Sequence, residues 1–135
     1  LAKIQTDKER SVIQQYATEK GLNIQSTPSG LAYVIERQGE GPKVTIGKQA
    51  TVHYAGFLLN GTKFDASYDR NQPFTLTVGV GSVIPGWDEG LQLLNQGGKI
   101  KLIIPSAMGY GANGAGAVIP PNAVLVFDVE VLEVK

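Results

Sequence analysis

At 135 residues the chain suits one domain that buries roughly two thirds of the surface its unfolded form exposes. With no cysteine it does so without disulfides, thiolate nucleophiles or cysteine-ligated zinc and iron-sulfur sites. Twelve basic and twelve acidic residues leave a net charge near zero, so the composition supplies no general attraction to nucleic acid or anionic lipid, and no apolar run approaches the roughly 18 residues of a membrane span.

From the N-terminus, Thr6-Asp7-Lys8-Glu9 fits a capping box, and Val12, Ile13, Tyr16 and Ala17 then recur at helical spacing until Gly21. This predicts one amphipathic helix over residues 7–20. Its apolar stripe is narrow, so the expected role is packing on the domain or leading back to upstream sequence, with a dimerisation arm as the lesser alternative. A chain that opens on Leu1 rather than Met leaves room for such a segment, and with it a periplasmic or cell-envelope location, a cytoplasmic one being the alternative. The polar stretch 25–30 reads as a linker, which divides the chain into a helix and linker, 1–30, and a main domain, 31–135.

Residues 31–37 read as a strand and 39–47 as a turn. Residues 49–58 alternate, with Ala50, Val52 and Tyr54 on one face and Gln49, Thr51 and His53 on the other, as a half-buried strand requires. Asn60-Gly61 is a hairpin signal, so 62–66 should return antiparallel and bring Phe64 to the concave side, with 67–73 a polar loop. Phe74, Leu76 and Val78 alternate next. Pro85 already has the backbone angle of a first helical residue and opens a short helix on which Trp87, Leu91 and Leu94 share a face, ending at Gly97-Gly98. Residues 99–104 form a strand with Ile100, Leu102 and Ile104 inward, and 124–134 form the clearest one, with Leu125, Phe127, Val129 and Val131 opposite Asp128 and Glu130. Short turns, one central helix and no βαβ unit predict an α+β fold: a strongly curved antiparallel half-barrel wrapped around that helix, with the N-terminal helix appended.

Several motifs carry less than they promise. Gly109-Tyr110-Gly111-Ala112-Asn113-Gly114 matches the dinucleotide fingerprint, but Pro120-Pro121 forbid the crossover helix whose N-terminus would bind the pyrophosphate, so a loop is expected. His53 lies on the outward phase of its strand and has no readable serine-acid partners. Asp65 and Asp69 alone do not make a metal site, and Asp88 and Glu89 simply favour a helix N-terminus by charge. No cofactor or metal is expected. Tyr54, Phe64, Phe74, Trp87 and Phe127, by contrast, converge from separate segments on one concave face, and Tyr54 and Tyr110 carry hydroxyls that full burial would leave needing partners. An aromatic pocket with a few polar tips is the pattern of a ligand site rather than a filled core.

The chain resembles the FKBP-type peptidyl-prolyl cis-trans isomerases from about Gly41 to Lys135. The resemblance rests on Val52-His53-Tyr54-Ala55-Gly56, Lys63-Phe64-Asp65, Asp69-Arg70-Asn71, Pro73-Phe74, Val83-Ile84-Pro85-Gly86-Trp87, Tyr110-Gly111, Ile119-Pro120-Pro121-Asn122 and Leu125-Val126-Phe127-Asp128-Val129. The N-terminal helix lies outside it and is similar to leader segments of some bacterial members. The resemblance implies a proline pocket of Tyr54, Phe64, Asp65, Arg70, Phe74, Val83, Ile84, Trp87, Tyr110, Val118, Ile119 and Phe127. Trp87 would lie under the proline ring, with Ile84 N–H and the Tyr110 hydroxyl holding peptide carbonyls and Asp65 tied to Arg70. Ser82, Gly109, Ala115 and Val118 depart from common family residues, which bears on substrate preference and macrolide affinity. The implied partners are proline-containing peptides, unfolded proteins and rapamycin-type macrolides, met by a monomer that assists protein folding. The alternative from another class is a binding module or holding chaperone that grips proline segments with little turnover.

Overall fold

The structure is a computed structural model that describes residues 2–116 and 118–135, with side chains from residue 5 onward. The chain runs through helix α1 (Ala2–Lys20), strands β1 (Gln25–Ser26), β2 (Ala32–Arg37), β3 (Gln49–Leu58) and β4 (Lys63–Ala66), helix α2 (Ser67–Arg70), strand β5 (Phe74–Thr77), helix α3 (Pro85–Gly90), strand β6 (Lys99–Ile104) and strand β7 (Leu125–Val134). All seven strands join one antiparallel sheet in the order β1-β2-β6-β7-β3-β4. β5 pairs with β3 on the edge that β4 also uses. The sheet is open, and α3 lies in its concavity.

Alternation in β3 and β7 decides which side chains meet. Tyr54 stands opposite Val129, and Phe127 lies between Gly56 and Leu102 on the two neighbouring strands. The concave core gathers Val52, Tyr54, Leu76, Trp87, Leu91, Leu94, Ile100, Leu102, Ile104, Phe127 and Val129. Helix α3 lies flat on β6 because Gly90 and Gly86 lack side chains. A Cβ at Gly90 would meet Leu102 at 2.5 Å, and one at Gly86 would meet Ile104 at 2.7 Å. Leu91–Leu93 continue as a single tight turn.

The convex face holds a second, aliphatic cluster in which Ile13 of α1 packs on Ile103, Val124 and Val126, with Ala32, Tyr16, Leu22 and Ile24 around it. The first helix therefore packs on the domain, one of the two roles expected for it. It opens at Ala2 rather than at residue 7, so Thr6 lies inside it and the capping-box pattern does not mark its start. Glu9 instead turns inward. Among the described residues no helix is long and apolar enough to cross a membrane.

Two further expectations need correction. Residues 67–70 form a short helix rather than a loop, closed by Asn71 in the left-handed conformation. Helix α3 stops well before Gly97-Gly98: Leu94 is already extended, and the Asn95 and Gln96 N–H groups donate to the carbonyls of Gln38 and Pro42. Backbone pairing with the 38–42 loop thus outcompetes helical continuation, yet Trp87, Leu91 and Leu94 all remain buried.

Candidate active site

The concave face is not filled. A cavity of about 220 Å³ opens at its upper end, lined by Tyr54, Phe64, Asp65, Phe74, Ser82, Val83, Ile84, Trp87, Tyr110 and Phe127. Trp87 is only 5 % exposed and forms the floor. Tyr54 meets it edge-on at 4.9 Å between ring centroids and Phe127 does so at 5.3 Å, and Phe64 stands perpendicular to Phe127 at 5.5 Å. Such edge-to-face contacts suit the ring quadrupoles and fix the walls. Gly56 makes the arrangement possible, since a Cβ there would come within 2.7 Å of both Phe127 and Phe64. Phe74 forms the rim, 39 % exposed but still in ring contact with Tyr54 and Trp87.

The polar edge is a three-residue network. The Tyr54 hydroxyl donates to Asp65 Oδ2 at 2.5 Å, Arg70 Nη1 donates to Asp65 Oδ1 at 2.5 Å, and Arg70 Nη2 donates to the Tyr54 oxygen at 3.0 Å. Burial pushes the Tyr54 hydroxyl above the ordinary tyrosine value, and its bond to Asp65 adds to the rise. Burial also acts to raise the Asp65 carboxyl, but hydrogen bonds from Tyr54 and Arg70, with the Arg70 charge, outweigh it and hold the group below the usual carboxylate range. At neutral pH the pair is therefore a fixed neutral donor on a fixed anion, not a proton shuttle.

Two donors of the cavity lining have no hydrogen-bond partner among the described residues. Ile84 precedes α3 in extended conformation, its carbonyl accepting from the N–H groups of Trp87 and Asp88, while its own N–H has no acceptor among the described residues. Tyr110 is 41 % exposed, and its hydroxyl has no partner among the described residues. The Trp87 indole N–H is likewise buried without an acceptor among them. A ring kept only for packing would not need that group, since an unsatisfied buried donor costs about 1–3 kcal/mol.

Ten of the twelve residues expected at the pocket divide simply: nine line it and Arg70 reaches its edge through Asp65 and Tyr54. Val118 and Ile119 do not line the cavity. Backbone bonds between Ala115 and Ile119 close the loop so that Val118 turns outward, 52 % exposed, and Ile119 joins the core. The loop carries a 3₁₀ turn at Gly111–Asn113 rather than the helix a dinucleotide site would need. Asp65 and Asp69 bind different cations, Arg70 and Lys63, and do not converge.

Sequence reading missed the contacts that four polar residues make. The Asp88 carboxylate accepts from the N–H groups of Gly79 and Gly81 at 2.9 Å each, shaping the turn beside the pocket rather than merely meeting a helix dipole. Glu89 accepts from the Thr27 and Ser29 hydroxyls. Ser67, fully buried, accepts from Tyr54 N–H at 2.7 Å and is hydrogen-bonded to His53 Nδ1, so His53 faces outward yet is tied down and stacked on Tyr68. Glu9 is the fourth. Only the Gly79-Val80-Gly81 turn, with N–H groups needing an acceptor, offered a sequence signal for any of them. A larger cleft of about 740 Å³ lies between α1, the β1–β2 hairpin and residues 105–112. Its lining includes no aromatic ring, so volume alone does not identify the site.

Comparison with known proteins agrees with this geometry. Residues 41–132 match the FKBP-type peptidyl-prolyl cis-trans isomerase domain. The chain is 61 % identical over 98 residues to the FK506-binding protein of Neisseria meningitidis serogroup B, covering 73 % of this chain and 90 % of that one. It is 45 % identical over 122 residues to the FKBP-type peptidyl-prolyl cis-trans isomerase FkpA of Escherichia coli, covering 90 % of this chain but only 43 % of that one, so it spans less than half the length of this longer relative. The crystal structure of FkpA from Escherichia coli superposes with a TM-score of 0.82 at 40 % identity, over 98 % of this chain and 59 % of that one. The crystal structure of AtFKBP13 gives 0.78 at 41 % identity, over 84 % and 99 %. The chain belongs to the FKBP-type peptidyl-prolyl cis-trans isomerase family.

Proposed function

We propose that the aromatic cavity is the place where this isomerase accelerates rotation about X-Pro peptide bonds. The observation that carries the proposal is that Ile84 N–H and the Tyr110 hydroxyl, donors without a partner among the described residues, belong to residues lining one cavity with Trp87. The barrier to be lowered is about 18–20 kcal/mol, because twisting the C–N bond removes amide resonance. A twisted amide has a less polar carbonyl than a planar one, so a dry cage of Trp87, Tyr54 and Phe127 favours it. The two donors hold the flanking carbonyls while the prolyl nitrogen pyramidalises, and Asp65 with Arg70 fixes the Tyr54 wall. Phe64, Phe74 and Val83 shape the ring's seat. Preference for the twisted over the planar form is what accelerates the reaction; no proton need move.

A protease-coupled assay of an X-Pro peptide, with and without rapamycin, tests this. The expected outcome is acceleration that rapamycin abolishes. Binding with no acceleration would make the protein a holding module instead. Macrolide binding, a monomeric state, unfolded-protein clients and a periplasmic or envelope location belong to the same proposal. Their support is the shared family and the likeness to bacterial FkpA proteins.

A further inference from the structure

One buried carboxylate takes no part in the pocket. Glu9 of α1 is 5 % exposed and is the sole charged residue in the buried set among the described residues. A carboxylate so deeply placed is tolerated only where its oxygens are hydrogen-bonded. The Ser106 N–H donates to Glu9 Oε1 and the Ser106 hydroxyl to Oε2, each at 2.6 Å, and Gln5 adds a third donor from the preceding turn. Ile13, one turn on, anchors the same helix face in the aliphatic cluster.

The other end of this contact leads to the active site. Ser106 opens the 3₁₀ turn Ser106–Met108 directly after β6, and its carbonyl accepts from Gly109 N–H at 3.0 Å. Gly109 adjoins Tyr110. With its N–H, hydroxyl and carbonyl all engaged, Ser106 relays the position of α1 to the residue before the pocket's tyrosine. A parallel contact joins Thr27 and Ser29 to Glu89, two residues beyond Trp87.

We propose that Glu9 is a positioning residue of the isomerase site: by fixing Ser106 it sets where the Tyr110 hydroxyl stands, so the N-terminal helix is a working part of the pocket. This rests on the reading that Tyr110 holds a substrate carbonyl. It differs from a merely structural role, in which Glu9 caps the Ser106 turn and stabilises the fold without affecting Tyr110.

The test uses the full chain carrying Glu9→Ala, Glu9→Gln, Ser106→Ala, Tyr110→Phe and the Glu9→Ala/Tyr110→Phe double substitution, each assayed well below its melting temperature. Glu9→Ala should lower kcat/KM about tenfold, mainly in kcat, within the range a roughly 1 Å misplacement produces. Glu9→Gln, which keeps one acceptor oxygen, should recover part of the loss. In the Tyr110→Phe background Glu9→Ala should change the rate by less than about twofold, because coupled residues are non-additive. Fully additive losses, or an unchanged rate in Glu9→Ala, would overturn the proposal. If Glu9→Ala does not fold, Ser106→Ala serves in the same cycle with the same expectations. A wild-type protein without isomerase activity would defeat the functional reading alone. The amide chemical shifts of Gly109 and Tyr110 then decide this one: they move in Glu9→Gln if the relay exists, and unmoved shifts reject it.

Discussion

On β7, neighbouring side chains go to opposite faces of one sheet and meet different chemistry. Phe127 turns to the concave side and meets Trp87 and Phe64 at right angles and Tyr54 at a tilt, while Val126 turns to the convex side and packs with Ile103 and Ile13 under α1. Both are almost fully buried. The aliphatic residues pack directly on one another under α1, with a cleft beside them, whereas the aromatic face leaves a cavity ringed by its own side chains. Burial alone therefore does not separate core from site. Rigid rings braced edge to face hold the shape of this opening.

If that contrast is right, equal truncations on the two faces should fail differently. Ile103→Ala should have the largest effect on stability, about 2–5 kcal/mol by chemical denaturation, with kcat/KM of the folded protein within about threefold of wild type. Trp87→Leu should do the reverse in its readout. It should lower kcat/KM tenfold or more, about 1.4 kcal/mol of transition-state stabilisation, while circular dichroism shows the fold retained. Asp65→Leu should follow with a loss of about three- to tenfold, because it frees the Tyr54 ring and Arg70 together without emptying the cage. The smallest effect belongs to Asp128→Asn on the exposed part of the convex face. Its pair with Lys101 is partly solvated, so stability should change by less than about 1 kcal/mol and turnover not measurably.

Protonation sharpens the same contrast. The Asp65 carboxyl is held below its ordinary value, so its contribution to stability is present above about pH 4 and lost as pH falls through the depressed pKa. The Tyr54 hydroxyl is held above its ordinary value, so its contribution is present below about pH 10 and lost as pH rises further. Between those limits the network has one charge state. The kcat/KM profile should therefore be flat from about pH 5 to 9 rather than bell-shaped. An inflection inside that window would contradict a network with a single charge state.

The sequence exposed this pocket more readily than it exposed what surrounds it. Period-two alternation named the inward faces of β3 and β7, and convergence of their aromatics with Trp87 distinguished a site from a core. Helix ends were harder. The pair Gly97-Gly98 looked like the stop of α3, but the stop is set by backbone bonds to the 38–42 loop, about fifty residues away in the chain. Glu9 illustrates the same difficulty: its place in a capping-box pattern is local, while its partner Ser106 lies 97 residues on. Val118 was expected at the pocket from family resemblance, and only the closure of the 115–119 loop turns it away.

The central claim is that the cavity binds a twisted prolyl amide more tightly than a planar one. Exchange spectroscopy by nuclear magnetic resonance on an X-Pro peptide measures this directly, reading binding and cis-trans exchange in one sample without a coupling protease. The account predicts peptide resonances that shift on binding and cis-trans exchange far faster than the uncatalysed tens of seconds, with the acceleration lost in Trp87→Leu. Shifted resonances with exchange still at the uncatalysed rate would contradict it.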